Sequence, residues 1–79
     1  MDHAEFPGST AVIFGAYDRK ARVLYLCYRD NIRTYRYKRV PPQEWGNLLN
    51  ASSKGTYVNQ YIKPLYEYDE VSAPELEAV

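Results

Sequence analysis

The chain of 79 residues carries ten basic side chains, ten acidic ones and one histidine, so its formal net charge is zero. One domain is all that this length supports, and such a domain buries only about 60 to 65% of its unfolded surface. Cys27 stands alone and excludes an internal disulfide, and a single Cys with a single His excludes a structural zinc site, which takes a full tetrahedral ligand set.

The opening segment, residues 1–10 ("MDHAEFPGST"), has neither a basic start nor a hydrophobic stretch of signal-peptide type, and is expected to be a flexible lead-in. No apolar run approaches the roughly 18 residues of a membrane span. With one unpaired cysteine this predicts a soluble, cytoplasmic protein. "TAVIFGAY" is β-branched and aromatic and predicts a first strand. "DRKA" is a polar turn, and "RVLYLCYR" is a second strand. Asp30 and Asn31 read as a two-residue hairpin turn, because both residue types tolerate positive φ. "IRTYRYKRV" then returns as a third strand. Val40 precedes Pro41 and is pushed out of the helical region, which ends that strand. Pro42 suits a first helical turn, where its missing N–H would be unpaired anyway. The helix is expected to run to about Ala51, with Trp45, Leu48 and Leu49 as its buried stripe. Ser52 or Ser53 offers an N-cap for a second helix, in which Val58 and Ile62 lie one turn apart and which Pro64 ends. The fold class is therefore α+β: a three-stranded antiparallel β-meander with two short C-terminal helices packed on one face. Residues 11–68 form the domain, and residues 69–79 are expected to be an acidic, disordered tail.

The hairpin turn sets a register. It places Arg29 opposite Ile32, Tyr28 opposite Arg33, Leu26 opposite Tyr35 and Leu24 opposite Tyr37. Opposed residues share a face, and each strand alternates faces. One face is then Leu24, Leu26, Tyr28, Tyr35 and Tyr37, which the helices should cover. The other is Val23, Tyr25, Cys27 and Arg29 beside Ile32, Thr34, Arg36 and Lys38. The core expected on this basis is Leu24, Leu26, Tyr35, Tyr37, Trp45, Leu48, Leu49, Val58 and Ile62. Nine Tyr, two Phe and one Trp supply the volume a thin core needs, since each buried ring removes roughly 150 to 250 Å² from water.

Charge is unevenly spread. Residues 17–39 hold eight cations against two anions, whereas residues 64–79 hold five acids and no base. A basic segment with interleaved rings matches a polyanion partner, and an acidic tail can compete for the same surface. On the second face Tyr25 lies opposite Arg36 with Arg29 and Lys38 nearby, an arrangement suited to stacking bases and holding their backbone. "SSKG" adds Lys54 and Gly55 at a helix start; it lacks the P-loop spacing, and its residue types serve equally as an ordinary helix cap. Catalysis has no support: His3 sits near the terminus, Cys27 has no His near it in sequence, and the carboxylates cluster in the tail. No cofactor or metal is implied.

The run "YRYKRVPPQEWGNLLNASSKGTYVNQYIKPLYEY" resembles the KTSC domain, named for its place at the C-terminus of some lysyl-tRNA synthetases and found also as small free-standing bacterial proteins. The resemblance spans roughly residues 12 to 68. It rests on Tyr35 and Tyr37, Val40 and Pro41, "LLNASSKG", Tyr57, Asn59, Ile62, Tyr66 and Tyr68. It implies a short α+β domain and, through the synthetase association, RNA binding. In "LYLCYRDN" the chain departs from the family pattern of alternating charges and a turn glycine. Val23, Tyr25 and Cys27 make the second face more apolar, which favours a protein contact. Two expectations follow. The first is an RNA or single-stranded nucleic-acid binding module using Tyr25, Arg29, Arg36, Lys38, Lys54 and Gly55. The second is a protein-interaction module, homodimeric or docking on a host or phage assembly.

Overall fold

Polar turns between runs of alternating apolar side chains build an antiparallel meander of five strands, described in a computed structural model over residues 1–30 and 33–71. The strands are β1 (Asp2–Glu5), β2 (Val12–Asp18), β3 (Val23–Tyr28), β4 (Thr34–Tyr37) and β5 (Tyr68–Val71), and they lie side by side in chain order. Between β4 and β5 the chain forms α1 (Pro42–Asn50) and α2 (Lys54–Tyr57), the latter continuing into a π-helical turn over Val58–Ile62. The α+β class stands, but the three expected strands are five, and the helices precede the last strand instead of closing the chain. β1 occupies part of the segment expected to be a flexible lead-in. β5 takes up residues 69–71 of the segment expected to be a disordered tail. Residues 72–79 lie outside the described residues.

Local chemistry sets each turn. Asp18 Oδ1 accepts from the backbone N–H groups of Lys20 and Ala21, at 3.1 and 3.2 Å, and closes the β2–β3 turn. Ser9 Oγ does the same for Ala11 and Val12 ahead of β2. Between β3 and β4 the register is Leu24 with Tyr37, Tyr25 with Arg36, Leu26 with Tyr35 and Cys27 with Thr34, as turn arithmetic predicts. The Tyr28 N–H donates to the Arg33 carbonyl at 3.0 Å. Asn31 and Ile32, and with them the second turn position and the Arg29–Ile32 pair, lie outside the described residues. Arg39, at φ 56°, adopts the left-handed conformation that swings the chain out of β4 toward Val40 and α1.

Pro42 occupies the first turn of α1, and the Trp45 ring stacks on Tyr17 with centroids 6.0 Å apart. Gly15 lets that ring approach the sheet, because a Cβ there would lie 3.1 Å from the Trp45 side chain. The Tyr17 hydroxyl reaches beneath the helix to donate to the Val40 carbonyl at 2.5 Å. The main core joins Leu24, Leu26, Tyr28 and Tyr37 to Trp45, Leu48, Val58 and Ile62, with Tyr35 partly buried against it. Leu49 does not belong to it. It is 40% exposed, because it lies about 100° further round the helix than Leu48 and clears the sheet. Ser53 caps α2 by accepting from the Thr56 N–H at 3.2 Å. In the π-helical turn Lys63 N–H bonds to the Val58 carbonyl at 2.9 Å, and Val58 and Ile62 both point into the core.

Candidate functional site

Four tyrosines meet where the helices stop covering the sheet. Tyr28 and Tyr35 contact edge to face with centroids 5.4 Å apart, Tyr35 meets Tyr68 edge to face at 5.6 Å, and Tyr37 lies 5.4 Å from Tyr68. These rings, with Val58, Asn59 and Lys63 on the helical side and Thr10, Ala11 and Asp30 at the loop end, line a cleft of about 470 Å³. Gly55 allows α2 to close the cleft's far wall: a Cβ at this position would stand 2.8 Å from the Ala11 side chain.

The cleft grades from buried to open. At its floor the Tyr28 and Tyr37 hydroxyls share a hydrogen bond of 2.7 Å. Burial, first of all, raises both hydroxyls above the usual tyrosine pKa, so they stay protonated and act as donors and acceptors. At the rim Tyr68 is 56% exposed. Lys63 holds its ammonium 4.8 Å from the centre of the Tyr28 ring, a cation–π contact that keeps a positive charge beside the aromatic wall. The cleft therefore offers π faces, paired hydroxyls and one cation within a single concavity.

The residues predicted to bind nucleic acid do not come together as one platform. Tyr25 is only 6% exposed and packs in a satellite cluster with Ala16 and Val71, against Phe14 and Val23. Its ring is not presented for stacking, because neighbouring strands on that face close over it. Arg36 donates Nε and Nη2 to the two Asp69 oxygens at 3.0 and 2.7 Å, and Lys38 lies 3.6 Å from the same carboxylate. Arg33 pairs with Glu70, and Arg39 lies 3.6 Å from Glu67. Arg29 donates Nε to the Ser9 carbonyl at 3.1 Å. Lys54 points back to the Leu49 and Ala51 carbonyls, at 2.9 and 2.6 Å, and closes the end of α1. That is a capping role, which Lys54 shares with Ser53. Gly55 is the one predicted residue that lines the tyrosine cleft. Tyr28, Lys63, Asn59 and Tyr68 were not predicted as site residues, although Asn59 and Tyr68 stood among the family-like positions.

A second polar centre joins the helices. Glu44 of α1 accepts hydrogen bonds from the Tyr57 hydroxyl and, at 2.8 Å, from the Tyr66 hydroxyl. Burial and then the Glu44 hydrogen bond push the Tyr66 hydroxyl up to about 12. Among the described residues no group of three or more His, Cys, Asp or Glu is arranged to hold a metal, and no helix is long and apolar enough to cross a membrane.

The model of the KTSC domain matches residues 9–68. The chain belongs to the KTSC domain family. A Tsukamurella paurometabola protein is 36% identical over 58 residues, covering 73% of this chain and 85% of its own. A lysine–tRNA ligase of Nostoc punctiforme is 33% identical over 57 residues, which are 72% of this chain and only 10% of the ligase. In three dimensions this KTSC domain is similar to the crystal structure of a KTSC domain protein from Yersinia pestis. The TM-score is 0.80 at 26% identity, over 90% of this chain and all of the other.

Proposed function

We propose that this KTSC domain is a non-catalytic module that binds single-stranded nucleic acid, RNA foremost, by taking an unstacked base into the tyrosine cleft. The observation that carries the reading is the pairing of exposed Tyr68 and half-buried Tyr35 rings with the Lys63 ammonium at one concavity. Flat π faces stack bases regardless of sequence, while a neighbouring cation takes a backbone phosphate. The opening of about 470 Å³ is of the size that holds a small ligand. The likeness to part of a lysine–tRNA ligase agrees with an RNA ligand, although fold association alone does not confer function. Tyrosine hydroxyls held above their usual pKa serve as hydrogen-bonding groups in this reading and not as nucleophiles.

Titration of labelled single-stranded RNA and DNA oligomers across a salt series tests it. Tyr68→Ala should weaken binding by about 1 to 3 kcal/mol, the worth of one stacked base, and leave the salt slope unchanged. Lys63→Ala should flatten the slope of log K against log salt by about 0.7, one single-strand phosphate contact. Absence of binding at low salt by the intact chain overturns the reading. A protein contact would then take its place, and the observation favouring it is Tyr61, 48% exposed on the helical side, whose ring lies tilted beside that of half-buried Tyr57 with centroids 4.9 Å apart.

A further inference from the structure

The outer wall of the cleft hangs on β5, a strand of four residues at the sheet edge that pairs with β4 alone. Strands this short hold their place only through what anchors them. Alternation points Tyr68 to the helix side of the sheet, into the cleft, and Asp69 to the opposite side. There Asp69 meets Arg36 in a two-pronged contact, Nε to Oδ1 at 3.0 Å and Nη2 to Oδ2 at 2.7 Å, with Lys38 Nζ 3.6 Å away. Planar two-pronged pairs fix geometry as well as supply energy. The backbone ladder and the Tyr35 and Tyr37 rings against Tyr68 also join the β4 and β5 segments, while two further ion pairs between them are more exposed. Arg33 reaches Glu70 at 3.2 Å and Arg39 reaches Glu67 at 3.6 Å, both between well-exposed side chains. Val71, the only buried residue of β5, inserts into the satellite cluster on the same side as Asp69.

We propose that Asp69 is a positioning residue for the cleft: by clamping Arg36 on one side of the sheet it docks β5 and so sets the Tyr68 ring as the ligand's outer wall on the other. This deepens the nucleic-acid reading and rests on it for the ligand, whereas the docking of β5 stands on the ion-pair geometry. It also reverses the simplest role for an acidic segment beside a basic strand. The acid does not compete with the ligand for Arg36 and Lys38; it uses those cations to hold the stacking ring in place.

Asp69→Asn, with Asp69→Glu as the charge-keeping control, separates these roles when exchange and binding are both read. Amide hydrogen exchange should quicken in Asp69→Asn at β5 and at Lys38, whose N–H bonds to the Glu67 carbonyl at 2.9 Å, and stay unchanged in β2 and β3. Binding of a labelled single-stranded RNA should weaken by about 3- to 10-fold with an unchanged salt slope, part of the roughly 5- to 150-fold loss that removing a stacked ring brings. Asp69→Glu should recover part of both. Unchanged exchange in Asp69→Asn overturns the clamp. Quickened exchange with tighter binding and a steeper salt slope overturns it too, because that is the signature of an acid masking Arg36 and Lys38. Quickened exchange with full affinity, where Tyr68→Ala is weak, overturns the link between clamp and cleft. If the intact chain binds no RNA, the proposed function falls, and the positioning of Tyr68 by Asp69 then stands or falls on the exchange result and on the Tyr68 ring resonances alone.

Discussion

The two faces of the sheet are built from the same three central strands and treat their side chains in opposite ways. On the helix side Leu24, Leu26 and Tyr37 lie under Trp45, Leu48, Val58 and Ile62, and tyrosine hydroxyls there bond to each other, to backbone or to the Glu44 carboxylate. On the other side Tyr25 and Val71 form a small cluster among charges that are paired across strands, Arg36 with Asp69 above all. The helix side has thickness enough to leave a concavity at its uncovered end. Among the described residues the other side has only neighbouring strands, and its apolar residues and its ions pack against one another. On the helix side, aromatic residues thus stay open to solvent where the second layer stops short of covering them.

Deleting a ring on each face is the sharpest way to break the comparison. Tyr37, 2% exposed beneath the helices, should cost about 3 to 5 kcal/mol as Tyr37→Ala, the loss expected for a large aromatic in a closed core. Chemical denaturation reads this directly, and near-wild-type stability would show that the helix side is not the principal core. Tyr25→Ala should cost less, about 2 to 3 kcal/mol, because a site bounded by solvent relaxes more readily around the gap. Equal losses would mean that the second face is as closed as the first.

A finer test keeps the rings and removes one oxygen. Tyr28→Phe breaks the 2.7 Å hydroxyl pair with Tyr37 and should lower stability by about 1 kcal/mol, the net worth of a typical internal hydrogen bond. Tyr37→Phe should do the same, and the double variant should cost less than the sum of the two, since both remove one bond.

The two faces also answer differently to pH. On the helix side, Tyr66 has a folded-state pKa of about 12 against an ordinary 10.0, raised by burial and by its bond to Glu44. A raised folded value contributes stability fully present below pH 10 and lost as pH climbs through about 12. Denaturation midpoints measured across that window should fall, and Tyr66→Phe should flatten the fall. On the other face, the Arg36 hydrogen bond is the largest influence on Asp69, whose carboxyl is held below its ordinary value, with Lys38 adding to the effect. A depressed folded value contributes stability present above the ordinary carboxylate range and lost as pH falls through the folded value. The effect is the smallest of the set, because Asp69 and Lys38 are well exposed and water screens them. It should appear as acid-quickened exchange at β5 ahead of global unfolding, and should vanish in Asp69→Asn.

Much of this domain follows from neighbours in sequence. The β3–β4 register follows from the position of the turn and the two-residue alternation of strands, and Pro41-Pro42 marks where sheet gives way to helix. Ser53 as a cap and Val58 with Ile62 as a buried pair are likewise matters of local spacing. The family was legible in residues that recur at those same places. Other features depended on partners distant in the chain. "DHAE" carries little intrinsic preference for strand, and in "YDEV" two acids interrupt Tyr and Val; they became β1 and β5 by pairing with the open edges of β2 and β4. The fate of the basic residues was decided in the same way: Arg36 reads as a nucleic-acid contact until β5 brings Asp69 beside it. Tyr25 and Tyr68 are indistinguishable as letters, yet one is covered by adjacent strands and the other stands at the rim of a cleft made by β3, β4, β5 and the helical segment. Periodicity assigns a side chain to a face, and only tertiary packing decides whether that face is closed, ion-paired or left open, because each outcome requires surface supplied by residues far along the chain.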